Sequence, residues 1–174
     1  MNLAEVLEGF AKTTDKEFAG IVEAARKGTE AMPWVPNPGP QTDAYFSKAD
    51  VLLYGGEPGG GKSQLGLGLA FNCHKRSLVL RRQYGDLARL IEDTCKIAGT
   101  RVGLNASPPP KFKVKDGQII EFFAANRIGD EQGRMGQGVD LLVPDEATHF
   151  AESQIRFLMG WVRTEVEGQR CRTV

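Results

Sequence analysis

The sequence predicts a three-layer α/β/α domain built on a mainly parallel sheet. Three observations carry that expectation. The apolar run Val51-Leu52-Leu53 leads into Gly56-Glu57-Pro58-Gly59-Gly60-Gly61-Lys62-Ser63, and a helix-like segment follows from Gln64. A second apolar strand, 139–143, ends in Pro144-Asp145-Glu146. Between the two, short apolar runs alternate with an amphipathic helical stretch, as in strand–helix–strand units.

The chain has 174 residues, enough for one such domain with a proper core. Apolar and charged fractions of 41% and 25% are those of ordinary globular proteins. Acidic and basic side chains balance at 22 each, so no net field advertises a nucleic-acid partner, although DNA is not thereby excluded. Cys73, Cys95 and Cys171 are odd in number and widely spaced, which favours free thiols in a reducing compartment over a disulfide framework. Cys73-His74 has no second Cys/His pair to complete a metal site. No secretory signal or 18-residue apolar run occurs, so a cytoplasmic protein with no membrane contact is expected.

Taken in order, residues 1–30 place Leu3, Val6, Leu7 and Phe10, then Phe18, Ile21, Val22 and Ala25, at near-helical spacing, with Asp15 as a cap between. They read as an N-terminal helical segment. Residues 31–48 form a connector in which Pro33, Pro36, Pro38 and Pro40 exclude a helix through residue 41. Residues 49–54 are the first core strand and 64–74 the helix behind the glycine loop. Residues 77–80 form a buried strand ending in Arg81-Arg82, which either meet an anion or are simply solvated. A helix over 86–98 carries Leu87, Leu90, Ile91 and Ile97 on one face. Residues 111–114 and 118–123 form a hairpin around Lys115-Asp116-Gly117. Residues 126–138, glycine-rich and charged, read as a mobile loop beside the site. A helix over 151–166 and the start of a strand over 170–174 complete the chain.

The glycine loop fits the phosphate-binding pattern of Gly, four residues, Gly, Lys and Ser or Thr. Gly56, Gly59, Gly60 and Gly61 let backbone N–H groups approach phosphate oxygens without an intervening Cβ. The N-terminus of the following helix adds its positive dipole end. Lys62 is expected on the β- and γ-phosphates and the Ser63 hydroxyl on Mg2+. Asp145-Glu146 supplies the second half. A carboxylate at a strand end orients Mg2+, and its neighbour activates the attacking water. Two adjacent carboxylates there are costly without such a role, a plain surface turn being the alternative. Glu146 is therefore the expected general base, Asp145 the metal orienter, and ATP with Mg2+ the expected ligand.

The order of the motifs also bears on topology. ATPases with a catalytic Glu at this position insert a further strand between the phosphate-loop strand and the Asp-Glu strand. That strand comes later in sequence, where residues 170–174 lie. The fold expected is thus a P-loop NTPase of the additional-strand, catalytic-Glu type, its core spanning 49–174.

From residue 36 onward the chain resembles the ATPase domain of the large terminase subunit of tailed bacteriophages, the DNA-packaging motor. The likeness rests on Pro-Gly-Pro-Gln at 38–41, the glycine loop at 54–63 and Leu-Val-Leu-Arg-Arg-Gln-Tyr at 78–84. It continues through Ile-Glu-Phe-Phe-Ala-Ala at 120–125 and Leu-Leu-Val-Pro-Asp-Glu-Ala-Thr-His-Phe at 141–150. The resemblance implies hydrolysis of ATP to drive double-stranded DNA into a procapsid through its portal protein, with a small terminase subunit as partner. It implies a homo-oligomeric ring in the host cytoplasm, docked on the procapsid, in which an arginine from one subunit completes its neighbour's site. Arg134 is the first match for that arginine and Arg127 the second. Gln41 matches an adenine-contacting glutamine, a role its amide suits because it both donates and accepts.

The large subunit of that family also carries an RNase-H-like nuclease domain, for which this chain has neither an acidic cluster nor the length. The expectation is therefore an ATPase core cut short at its C-terminus. Two other readings are weighed beside it: a helicase or RecA-like DNA-dependent ATPase, and a nucleotide-binding remnant without turnover.

Overall fold

The computed structural model describes residues 32–57, 59–114 and 117–174. The expected helical segment over 1–30, Pro58 of the glycine loop and Lys115-Asp116 of the hairpin turn lie outside them. The chain divides into two compact units, Met1–Val35 and Pro36–Val174. Every helix and strand among the described residues belongs to the second unit. Among the described residues no helix is long and apolar enough to cross a membrane.

The architecture is α/β, with four helices and a six-stranded mixed sheet among the described residues. In chain order the elements are α1 (Pro40–Phe46), α2 (Lys62–Asn72), β1 (Arg76–Arg81), α3 (Leu87–Ala98), β2 (Leu104–Asn105), β3 (Lys111–Lys113), β4 (Ile119–Ala124), β5 (Leu141–Pro144), α4 (Glu152–Met159) and β6 (Arg172–Thr173). The strands lie in the order β2-β3-β4-β1-β5-β6. Strands β4, β1, β5 and β6 are parallel, and the β3–β4 hairpin adds the antiparallel edge with β2.

Strand β1 is the centre, paired on both sides and buried from Ser77 to Leu80. Covering both faces of a parallel strand demands such a continuous apolar run. Alternation then sorts the side chains. Leu78, Leu80 and Leu142 pack with Leu158 of α4, while Val143 faces α2 across the other side. Helix α3 joins α2 there.

Helix α2 is buried from Leu65 through Phe71, and Gly66 lets it approach the sheet. A Cβ at Gly66 would stand 2.5 Å from Val143 Cγ1. Gly66→Ala should therefore overpack this contact and lower stability by about 1–3 kcal/mol, read as a lower midpoint in chemical denaturation.

Several expectations need correction. The strand expected over 49–54 reduces to one parallel bridge, Val51 to Thr173. Its two hydrogen bonds are Thr173 N–H to Asp50 O (2.8 Å) and Leu52 N–H to Thr173 O (2.9 Å). A two-residue partner strand offers no longer ladder, and Leu53 is 86% exposed. Strand β6 thus lies between β5 and the segment that enters the glycine loop.

The connector does contain a helix, since Pro40 occupies the first turn of α1, where a missing N–H is harmless. Helix α4 ends at Met159 instead of 166. Beyond Gly160 the backbone pairs with Val139, through Val139 N–H to Trp161 O (3.0 Å) and Arg163 N–H to Val139 O (2.8 Å). That pairing needs extended chain. Residues 126–138 are anchored: they include a 3-10 turn, Asp130–Arg134, whose Glu131 and Arg134 are buried. Gln154 Nε2 donates to Arg127 O at 2.9 Å and to Glu131 Oε2 at 3.2 Å, tying this stretch to α4.

Candidate functional site

The glycine loop turns on residues that only glycine adopts without strain. Gly56, Gly59 and Gly61 have φ of 138°, 89° and 71°. Gly61 is the N-cap of α2, and its carbonyl accepts the Leu65 N–H at 2.9 Å, so the helix starts inside the motif. Lys62 folds back over the loop, its Nζ donating to Gly56 O (2.9 Å) and Glu57 O (2.8 Å). Tyr54 Oη donates to Gly60 O at 3.3 Å. The loop is thus closed on itself by a lysine and a tyrosine.

Gln41 stands against the glycine loop. It is buried in α1, with Nε2 donating to Gly61 O at 2.9 Å and Oε1 accepting the Asn37 N–H at 2.7 Å. The amide oxygen and one amide N–H are thus each engaged by backbone. It braces the loop. A Cβ at Gly61 would collide with Gln41 Nε2 and displace that brace, in addition to the strain of the positive φ.

The site's two halves meet where α2 starts and β5 ends. Ser63 Oγ donates to Asp145 Oδ2 at 2.8 Å and lies 3.1 Å from Oδ1, linking residues 82 apart in sequence. Strand β5 carries Asp145 there, its N–H bonded to Leu80 O at 3.0 Å. Glu146 has φ 59°, the one non-glycine residue with positive φ among those described. Such backbone is costly for glutamate and turns the chain sharply after Asp145. A cavity of about 420 Å³ lies against both halves, with Gly56, Lys62, Asp145 and Glu146 in its lining and Leu53 and Ile155 on its apolar side.

Arg81, at the end of the neighbouring strand β1, joins the carboxylates. Its Nε and NH2 donate to Asp145 Oδ2 (2.8 and 2.7 Å), and NH1 donates to Glu146 Oε1 (2.6 Å). Glu146 Oε2 also meets His149 Nδ1 at 3.2 Å. Arg82 donates to the His149 carbonyl. The sequence leaves open whether Arg81 is solvated or functional. The decisive fact is that β1 and β5 are sheet neighbours, which no local pattern states.

Arg134 is not at this site. It is buried, with NH2 on Glu121 Oε2 at 2.7 Å and its guanidinium 5.7 Å from the centre of the Phe123 ring. An arginine so enclosed within its own subunit is not presented to a neighbour's site, contrary to the expectation. Its pull inward comes from Glu121, a buried carboxylate that also meets Arg76 (3.0 Å) and Lys111 (3.5 Å). Burial raises the Glu121 pKa, but the charge and hydrogen bond of Arg134, then Lys111 and Arg76, outweigh it and hold the carboxyl below its usual value. Arg127, the second candidate, is exposed just ahead of that turn.

Among the described residues no group of three or more His, Cys, Asp or Glu side chains is placed to hold a metal. The candidate cation donors are the Ser63 hydroxyl and the Asp145 carboxylate, both hard oxygen ligands. The chain matches no protein-family model, no curated protein and no solved structure.

Proposed function

We propose that this chain binds ATP with Mg2+ at the glycine loop and hydrolyses it, as a P-loop NTPase of the additional-strand, catalytic-Glu type. The observation that carries the reading is the 2.8 Å contact of Ser63 with Asp145, beside Glu146. It joins a phosphate-loop motif to a strand-end acid pair. The place of β6 between β5 and the Val51 segment supports the same reading, since that class inserts a later strand there.

Each residue then has a task. Lys62 exchanges the carbonyls of Gly56 and Glu57 for phosphate oxygens, and the N–H groups of the loop and the first turn of α2 face the same charge. Ser63 and Asp145 fit Mg2+, which characteristically takes one or two protein oxygens and completes its shell with phosphates and water. Bound there, Mg2+ supplies neutralisation of the phosphate charge. Glu146 orients the attacking water and accepts its proton as the water oxygen bonds to the γ-phosphorus and the bridging oxygen leaves with ADP.

The work this hydrolysis drives is read from the ordered resemblance: packaging of double-stranded DNA by a terminase large subunit, in a ring at the portal. Titration with a fluorescent ATP analogue in Mg2+ tests the site. Lys62→Ala should weaken binding about 10- to 100-fold, the worth of a hydrogen-bonded charge on phosphate. Equal binding by wild type and variant would overturn the reading. Stimulation of phosphate release by procapsids, rather than by single-stranded DNA, separates a packaging motor from a helicase.

A further inference from the structure

We propose that Arg81 is the resident counter-cation of the Asp145–Glu146 pair and gives up Asp145 when a divalent cation arrives with nucleotide. The inference deepens the hydrolytic reading and rests on it. Asp145 is buried, and a buried carboxylate needs compensation. Ser63 offers only a neutral hydroxyl, and Lys62 is turned onto Gly56 and Glu57. Among the described residues, Arg81 is the cation that meets Asp145, and the planar guanidinium reaches Glu146 as well. A lysine, with one point charge, could not span both carboxylates in this way.

The crowding is specific. Asp145 Oδ2 accepts Ser63 Oγ at 2.8 Å, Arg81 Nε at 2.8 Å and Arg81 NH2 at 2.7 Å. A carboxylate oxygen has about two lone-pair sites, so Oδ2 is already fully engaged. A cation entering between Ser63 and Asp145 meets the guanidinium in its way, both sterically and by charge. Arg81 can withdraw without leaving the site, because NH1 stays on Glu146 Oε1. The residue thus keeps Glu146 in place while Asp145 changes partner. It is a positioning residue, acting through the two acids.

The test reads cation affinity directly. Mn2+ is titrated into the protein at saturating ADP and followed by its electron paramagnetic resonance signal. Removing one positive charge from Asp145 in Arg81→Gln should tighten Mn2+ binding about tenfold. Arg81→Lys should lie between the two. Affinity unchanged in both variants would overturn the proposal. If Arg81→Gln does not fold, the wild type decides. Its Arg81 Nε–H resonance should shift when Mg2+ and ADP are added together, and a resonance that stays still under saturating Mg2+ and ADP would overturn the proposal. Failure of the wild type to bind ADP at all would instead remove the hydrolytic reading, and this inference with it.

Discussion

Glu146→Gln is expected to reduce phosphate release about 10²–10⁴-fold, the usual worth of a general base. Nucleotide affinity should change by no more than about threefold, because the loss falls on the transition state and not on the ground state. Glutamine keeps the size and reach of the side chain and removes only its capacity to take the proton of water. The ion pair to Arg81 that it forfeits, and its contact with His149, are made by a side chain 41% exposed. Together they contribute little to folding, so the thermal midpoint should move by only a few degrees. Phosphate release and analogue binding, measured on the same preparation, check both halves. If wild type and variant share one negligible rate while binding ATP equally, the chain is a nucleotide-binding remnant and Glu146 is no base.

Glu121→Ala is expected to be strongly destabilising, at about 3–5 kcal/mol, because it leaves the buried Arg134 with an uncompensated charge. Arg134 is 2% exposed and cannot turn to water without breaking its packing on Phe123. Arg76 and Lys111 are partly exposed and can re-solvate, so most of the effect belongs to Arg134. A loss of that size is a large share of a typical domain's stability, and partial unfolding at 37 °C follows.

The same carboxyl predicts acid sensitivity. Its folded pKa lies below the unfolded one. Its stabilisation is therefore complete above the ordinary glutamate value of about 4.3 and is lost as pH falls through the folded pKa. Thermal midpoints recorded between pH 7 and pH 3 should show this acid limb in wild type. The limb should be shallower in Glu121→Gln, which has no proton to gain there.

Much of the sheet was legible because its strands are buried on both faces. Residues 77–80, 118–123 and 139–143 are near-continuous apolar runs, and a parallel sheet between helices requires just that. The glycine loop and Asp145-Glu146 were legible for a related reason, since each departs from what packing alone would select. The edge was less legible. The segment entering the loop has strand composition, yet only Val51 pairs, because the partner β6 is two residues long. Helix α1 was hidden by the prolines before it and at its start, although Pro40 sits in the first turn, which tolerates it.

By itself the sequence determined the glycine-loop spacing, the acid pair at a strand end and the helical and strand periods that set them in an α/β frame. These are local properties, encoded within a dozen neighbouring residues. The tertiary structure alone decided which arginine serves which carboxylate. Arg134 carries the expected charge but is drawn inward by Glu121, 13 residues earlier and on β4. Arg81 reaches Asp145 across 64 residues because β1 and β5 lie side by side. Gln41 likewise meets Gly61 through the packing of α1 beside α2. Charge pairing depends on distances of a few ångströms between segments remote in sequence, and only the register of the sheet sets those distances.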